Sequence, residues 1–385
     1  MKIFYGVQAT GNGHITRARI LGKALEAKGA EITWLFTGRA PEKLFDMDAF
    51  GNYRTCKGLT FATRKEHIDL LQTAMKLSFP AFFRDVTGLD LAGYDRVISD
   101  FEPVTAWSCK FQGLPCLGIS HQNAFKYPIP VEGDRPLPRL VMNLFAPCTL
   151  SVGLHWHPFA PPILPPIIDT SHTEKSEETD KILVYLPFED HRTVQRVLRD
   201  MQRGRFMIYC DVNSPRDEGP LHLRPFSLNG FRDDLATCHG VICGAGFELT
   251  SEAIHLGKKL LVKPVAGQME QLSNALALER LGLATRMNRL APGTVTAWLQ
   301  APATRRMVFP DTASELAHWI TQGCTESIEA LSRRLWARTN PQGAFRSPWQ
   351  GSGTPTAPPS LLTEHRLRPS LPIPPALRRP PFTLS

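Results

Sequence analysis

Gly11-Asn12-Gly13-His14 sets an imidazole directly behind two glycines, where the strand-like run KIFYGV gives way to a helical pattern. Glycines let the backbone approach a ligand closely. A helix that begins near His14 aims its free N–H groups and positive dipole end past the strand. A carboxylate could complete such a site, and Asp100 ends the strand-like VISD, two residues before Glu102. A paired aspartate orients an imidazole and stabilises its protonated form, which a general base needs. Plainer readings stand beside these: His14 could cap or pack, and Asp100 could cap the helix that follows DFEP. His121, in SHQNAF, is open among oxyanion-binding, acceptor-binding and structural roles.

The richest stretch is VICGAGFELTSEAIHLGKKLLVKPVAGQMEQLSNALALERLG, residues 241–282. Gly244 and Gly246 end one strand and open a helix, a place for a pyrophosphate on backbone amides. Glu252, more than a turn inside that helix, can accept two hydrogen bonds from a ribose diol. Beyond the next strand Pro264 and Gly267 turn the chain. Gln268, Glu270, Gln271 and Asn274 then offer groups suited to sugar hydroxyls. In this order and spacing they form a nucleotide-sugar pocket.

Parallel α/β architecture is what would bring these residues together. Ile15, Ala18, Leu21 and Leu25 recur at helical spacing, Gly29 supplies a stop, and EITWLFT is the next strand, so the chain opens on a βαβ unit. YDRVISD and PCLGIS are further strands, joined by a helix over 104–112. A second series, ILVYLP, RFMIYC, VICGAG and KLLVKP, alternates with helices at 192–201, 249–256 and 270–281, and a helical stretch over 313–337 follows. A chain of 385 residues accommodates two domains of about 150 residues. The expected division is residues 1–154 and 181–338. The proline-rich, acidic segment 155–180 is the connection between them. Residues 339–385 hold eleven of the 33 prolines and are expected to be a disordered or polyproline-like tail. Two Rossmann-like halves bind ligands at the carboxyl ends of their strands, where all the singled-out residues fall.

Composition narrows the partners. Of the formal charge of +8, half comes from the tail, with five arginines against Glu364, so the rest is only mildly basic. That disfavours a nucleic-acid binder and is compatible with anionic small molecules or an anionic membrane surface. Eight cysteines without a CxxC pair read as reduced thiols of a cytoplasmic protein. No leader precedes the strand at Met1, and no apolar run approaches the ~20 residues of a membrane span.

Residues 241–282 resemble the donor-binding region of GT-B glycosyltransferases, both the N-acetylglucosaminyltransferase that makes lipid II and the plant secondary-product glucosyltransferases. Glu252 falls where those families place a ribose-binding glutamate, and Gln271 with its neighbours falls on the segment that contacts the donor sugar. TGNGH resembles the glycine-loop histidine of these enzymes. VISDFEPVTAWSCKFQGLPCLGIS resembles the segment whose aspartate partners that histidine in the plant enzymes. The likeness runs to about residue 338, and ISDFEP with GQxEQ resembles a group of bacterial and archaeal glycosyltransferase-like proteins. It implies a GT-B fold: an acceptor domain facing a donor domain across a cleft. It further implies an inverting, metal-independent hexosyltransferase with a UDP-linked or similar donor as substrate and no other cofactor. His14 would be the base and Asp100 its partner. The acceptor is unassigned, a glycan or lipid-linked hydroxyl, with peripheral contact at an inner membrane face left open. Departures matter. Gly244 stands where the plant signature has a phosphate-binding histidine, which shifts the pyrophosphate onto amides and Thr250 or Ser251. GQMEQ replaces the plant acid–glutamine pair, so the sugar does not carry over.

Weaker signals are set apart. Asp46-Met47-Asp48 is formally a DxD metal motif but is expected on a solvated helix. His155-Trp156-His157 reads as packing. The aromatic and basic run 67–85 could face a lipid-linked acceptor, though burial is the expectation. A dinucleotide fingerprint would need glycine where Thr16 stands and an acid near Thr37, Gly38 and Arg39. A sugar-nucleotide 2-epimerase and a non-catalytic sugar-nucleotide-binding module are the alternatives to transfer.

Overall fold

The computed structural model of the protein describes residues 1–59, 63–64, 67–68, 79–133, 142, 144–159, 162–171 and 176–342. The first half comprises β1 (Lys2–Gln8), α1 (Asn12–Glu26), β2 (Glu31–Thr37), β3 (Tyr53–Cys56), the antiparallel pair β4 (Thr63–Arg64) and β5 (His67–Ile68), α2 (Phe79–Thr87), β6 (Arg96–Asp100), α3 (Pro103–Gln112), β7 (Leu117–Ser120) and β8 (Leu150–Gly153). Its main sheet runs β3-β2-β1-β6-β7-β8, every neighbouring pair parallel. Ile3, Phe4, Tyr5 and Val7 of β1 are fully buried, as a central strand covered on both faces requires. Gly29, at φ 80°, closes α1 and turns the chain into β2.

The second half comprises β9 (Glu178–Tyr185), α4 (His191–Arg199), β10 (Arg205–Tyr209), β11 (Arg216–Glu218), β12 (Leu221–Arg224), α5 (Leu228–Thr237), β13 (Cys238–Cys243), α6 (Phe247–His255), β14 (Lys259–Val262), α7 (Met269–Arg280), β15 (Thr285–Arg286) and α8 (Pro292–Gln300). Its sheet runs β11-β12-β10-β9-β13-β14-β15, parallel except at β11. In both sheets the first strand is flanked by its second and by a later one. The strand order therefore reverses between β1 and β6, and again between β9 and β13. Such reversal points open a crevice at the carboxyl ends of the strands.

Then come β16 (Arg306–Val308), α9 (Thr312–Thr321), α10 (Ile328–Ala337) and β17 (Asn340–Gln342). The continuous helical stretch expected over 313–337 is thus two helices. Gly323 and Cys324, at φ 81° and 57°, end the first, and Ser327 caps the second. α9 packs back on α1, and Ser332 and Trp336 of α10 both donate to the Ile163 carbonyl, so the chain's last helices return to the first half.

Two further expectations are corrected. Asp46-Met47-Asp48 lies on no solvated helix: Met47 is buried, Asp46 adopts φ 55° and pairs with Arg19, and a short 3-10 turn spans Asp48–Phe50. The described end of the 67–85 run is not buried, since Phe79 and Phe83 of α2 are 61% and 56% exposed; residues 69–78 lie outside the described residues. The tail expected from 339 begins with a strand, β17 antiparallel to β16, and its remainder from 343 is likewise outside them. The connecting segment is itself core: His155, Trp156, Ile163, Leu164, Ile167 and Ile168 are all buried.

Candidate active site

At the first reversal point, β1 and β6 run side by side with Val7 opposite Asp100. Gly11 is the N-cap of α1, and His14 sits in the first turn of that helix. Its Nδ1 lies 2.7 Å from Asp100 Oδ1. Asp100 does not cap the next helix, because Glu102 takes that place, accepting from the Val104 and Thr105 amides at 2.7 Å each. Phe101, at φ 51°, makes the kink that separates the two carboxylates. One is thereby left for the imidazole.

Asp100 is fully buried, and its second partner is Arg17, itself 1% exposed. Arg17 Nε and a terminal nitrogen grip the two carboxylate oxygens at 2.9 and 2.6 Å, a bidentate pairing. Burial alone would push Asp100 up, but the Arg17 guanidinium and His14 together hold its carboxyl below the usual range. In the tautomer that donates from Nδ1 to ionised Asp100, the lone pair is on Nε2; the Arg17 terminal nitrogen also lies 2.9 Å from Nδ1. Nε2 lies 3.4 Å from the amide nitrogen of Gln122, which also donates to Glu270 at 3.1 Å. Gln122 Oε1 is buried without a hydrogen-bond partner.

These contacts join the halves. Arg17 forms an ion pair with Glu248 in the first turn of α6, whose carboxylate lies where a methyl group on Gly13 would have to go. Gly13 is required by that close approach rather than by its backbone angles. His121 stacks on Phe247 at 4.0 Å between ring centres, and its nitrogens face the Leu154 carbonyl and Asn274 Oδ1. Burial lowers the pKa of His121, and both nitrogens are used by the protein, so of its three readings the structural one fits the geometry. Trp156 donates to Ser251 at 2.8 Å, and Glu132 grips Arg286 with both oxygens.

At the second reversal point Gly246 is the N-cap of α6, with open space where its side chain would be, and Gly244 precedes it beside Gln271. Thr250 and Ser251 point into the helix, donating to the Gly246 and Phe247 carbonyls. Gln271 accepts from the Val265 amide and Asn274 donates to the Ala245 carbonyl, so both brace the loops after β13 and β14. Gln268, the N-cap of α7, and Glu270 are half-buried at the cleft. Glu252 borders a small cavity with Asp169, Arg232 and His255. Burial pushes its carboxyl up to about 7.

Four residues escaped the sequence reading. Arg17 stands three positions after His14 on the same helix face, and its charge amid Ile15, Ala18 and Leu21 was a legible signal. Glu248 lies one turn before Glu252. Gln122 is next to His121. Phe226, 44% exposed just past β12, lies edge-on to Tyr185 at the end of β9, and no motif marked it. Among the described residues no His, Cys, Asp and Glu cluster could hold a metal ion.

The sequence profile of glycosyl transferase family 1 matches residues 1–301. The chain belongs to that family. As a family 1 glycosyltransferase it has the GT-B fold that its motifs implied. LpCGTa in complex with UDP matches with a TM-score of 0.56 at 14% identity, over 88% of this chain and 98% of that one. Arabidopsis thaliana UGT89C1 complexed with UDP matches at 0.54 and 12%, over 87% and 99%. Acinetobacter baumannii MurG matches at 0.52 and 14%, over 83% and 99%. No curated protein matches the glycosyltransferase by sequence. Among its described residues no helix is long and apolar enough to cross a membrane.

Proposed function

We propose that this glycosyltransferase is inverting and metal-independent, moving a sugar from a uridine-linked donor to an acceptor hydroxyl. The observation that carries the reading is the His14–Asp100 contact of 2.7 Å at a strand-order reversal, with Nε2 turned away from Asp100 toward Gln122. His14 takes the proton of the acceptor hydroxyl as the oxygen attacks the anomeric carbon. The donor diphosphate departs from the opposite face, so one displacement inverts the configuration. Amides around Gly244–Phe247 and the positive end of α6 receive the developing charge, which makes a metal unnecessary. Thr250 and Ser251 are committed within the helix, so the backbone does this alone. Gln268 and Glu270 face the sugar, Gln271 and Asn274 hold the loops that shape its pocket, and Gly11 and Gly13 admit the ligand to the helix start. Exposed Phe226 beside Tyr185 offers a ring on which a base can stack. Two structural neighbours solved with UDP support uridine.

Thermal denaturation against a panel of nucleotide sugars tests this, since a ligand of the native state raises Tm. Uridine-linked members should raise it most, and a larger shift with another nucleotide would overturn the uridine assignment. Conversion of a bound nucleotide sugar without any acceptor would establish epimerisation instead of transfer.

Glu252 gives this donor site a pH signature. Its ionised carboxylate accepts from both hydroxyls of a ribose diol more strongly than the acid does, and burial holds it protonated up to about pH 7. UDP affinity should therefore rise as pH increases through about 7. The stability of the free protein should move oppositely. A carboxyl whose folded pKa is raised contributes fully below its ordinary range and progressively less as pH climbs to about 7. Calorimetric titration and melting curves across that interval check both, and Glu252→Gln should flatten both slopes.

A lipid-linked acceptor agrees with the face formed by α2 and α3. Phe79, Phe83 and Phe111 are 61%, 56% and 58% exposed, and the Lys110 ammonium sits over the Trp107 ring. Phe83→Ser with Phe111→Ser should abolish co-sedimentation with anionic phospholipid vesicles while leaving UDP affinity intact. Equal sedimentation of the variant would remove the membrane from this reading.

A further inference from the structure

Three cysteines, Cys109, Cys116 and Cys148, meet in the first half. Cys116 lies just before β7 and Cys148 just before β8, neighbouring parallel strands. The Cys116 carbonyl accepts from the Thr149 and Leu150 amides at 3.0 and 3.2 Å, which fixes the two backbones side by side. The Cys116 thiol donates to the Cys148 sulfur at 3.6 Å. Gly118, two residues on and on the same face as Cys116, makes room. A side chain there would start 2.8 Å from the Cys148 sulfur. Cys109 on α3 hydrogen-bonds to Cys116 from the other side.

We propose that Cys116 and Cys148 form a reversible disulfide when the protein meets a hydroperoxide, tying the start of β7 to the start of β8. The sulfurs need close by only about 1.5 Å to reach bonding distance. The cluster also sorts their roles. The hydrogen bond from Cys116, aided by the Lys126 ammonium, outweighs burial and lowers the Cys148 pKa, favouring its thiolate. Hydrogen bonds to Cys109 and Cys148, with burial, raise Cys116 well above the usual thiol range. Cys148 is the partly exposed member of the pair. Elsewhere burial alone pushes Cys243 up to about 12, and Cys238 is held there too, chiefly by burial, which leaves both unreactive.

The chemistry balances in two steps. The Cys148 thiolate attacks one peroxide oxygen, forming an S–O bond as the O–O bond breaks, and the departing hydroxide or alkoxide takes up a proton. Cys116, giving its proton to the second leaving hydroxide, attacks the Cys148 sulfur. The S–S bond forms, the S–O bond breaks and water leaves. Two thiols are oxidised by two electrons, and one hydroperoxide is reduced. The ring so closed contains His121, Gln122 and Glu132, so the bond constrains the segment that reaches across to α7.

The full-length protein treated with hydrogen peroxide should lose two hydrogens by intact mass and then take up two fewer alkyl groups than untreated, unfolded protein. Peptide mapping should find a Cys116–Cys148 crosslink that a dithiol reverses. Cys109→Ser should form the same bond. Cys116→Ser should instead leave Cys148 as a sulfenic acid that dimedone traps. A wild-type protein whose Cys148 becomes oxidised without joining Cys116, or joins Cys109, overturns the proposal. So does a Cys148 that stays reduced while partly exposed Cys56 or Cys324 is modified.

Discussion

His14→Ala is expected to slow sugar transfer by about 10²–10⁴-fold, the usual contribution of a positioned general base, while UDP binds as before. The split follows from geometry. His14 lies in the first turn of α1 with its Nδ1 spent on Asp100, and Nε2 is turned away from it toward Gln122. The groups assigned to the donor stand in the second half. Asp100→Asn should follow in the same direction with a smaller effect, because the amide no longer dictates which ring nitrogen carries the proton. UDP-release assays on a responsive donor from the panel, run beside calorimetric titration of UDP, check the pair. Transfer by His14→Ala at the wild-type rate would end the base assignment. Loss of UDP affinity in the same variant would move His14 into the donor site.

The second large effect concerns stability. Arg17→Met is expected to destabilise the fold by about 3–5 kcal/mol, the range seen when one partner of a buried ion pair is removed. Arg17 is almost wholly buried, and its loss strands Asp100 and Glu248 together without a cation. Urea denaturation measures the change. Adding Asp100→Asn and Glu248→Gln to Arg17→Met should recover much of it, since no charge is then left unpaired. Equal stability of the single and triple variants would contradict this account. The depressed Asp100 pKa adds a pH signature: its contribution is whole above the ordinary carboxylate range of about 4 and fades as pH falls through the lowered folded value. The Arg17→Met protein should lose that acid slope.

The legible part of this molecule was its alternation. The apolar periods of KIFYGV, α1 and EITWLFT fix a parallel unit, and the helices that follow β13 and β14 begin within two residues of their expected starts. Strand-end positions also carried information, because a parallel sheet delivers every carboxyl end to one edge. Hence His14 and Asp100 could be brought together from 86 residues apart. What stayed hidden depends on tertiary contacts. Ser251 reads as a phosphate ligand until Trp156 is seen donating to it. Asn274 and Gln271 read as sugar ligands, and the sequence does not show that they also bond the Ala245 carbonyl and the Val265 amide. The segment that begins at His155 reads as a connection because prolines suppress periodicity, yet Trp156, Ile163, Leu164, Ile167 and Ile168 are buried. Phe79 and Phe83 mislead the other way, since spacing alone does not reveal that their rings stay largely exposed.

Gly13 carries a consequence for how the enzyme could be tuned. Because the Glu248 carboxylate of the opposite half occupies the place its side chain would take, any larger residue there becomes a shim. Gly13→Ala would push the end of the Glu248 side chain and, through Arg17, press on Asp100. Of the two glycines in that opening motif, the second sets the depth to which the molecule can bite.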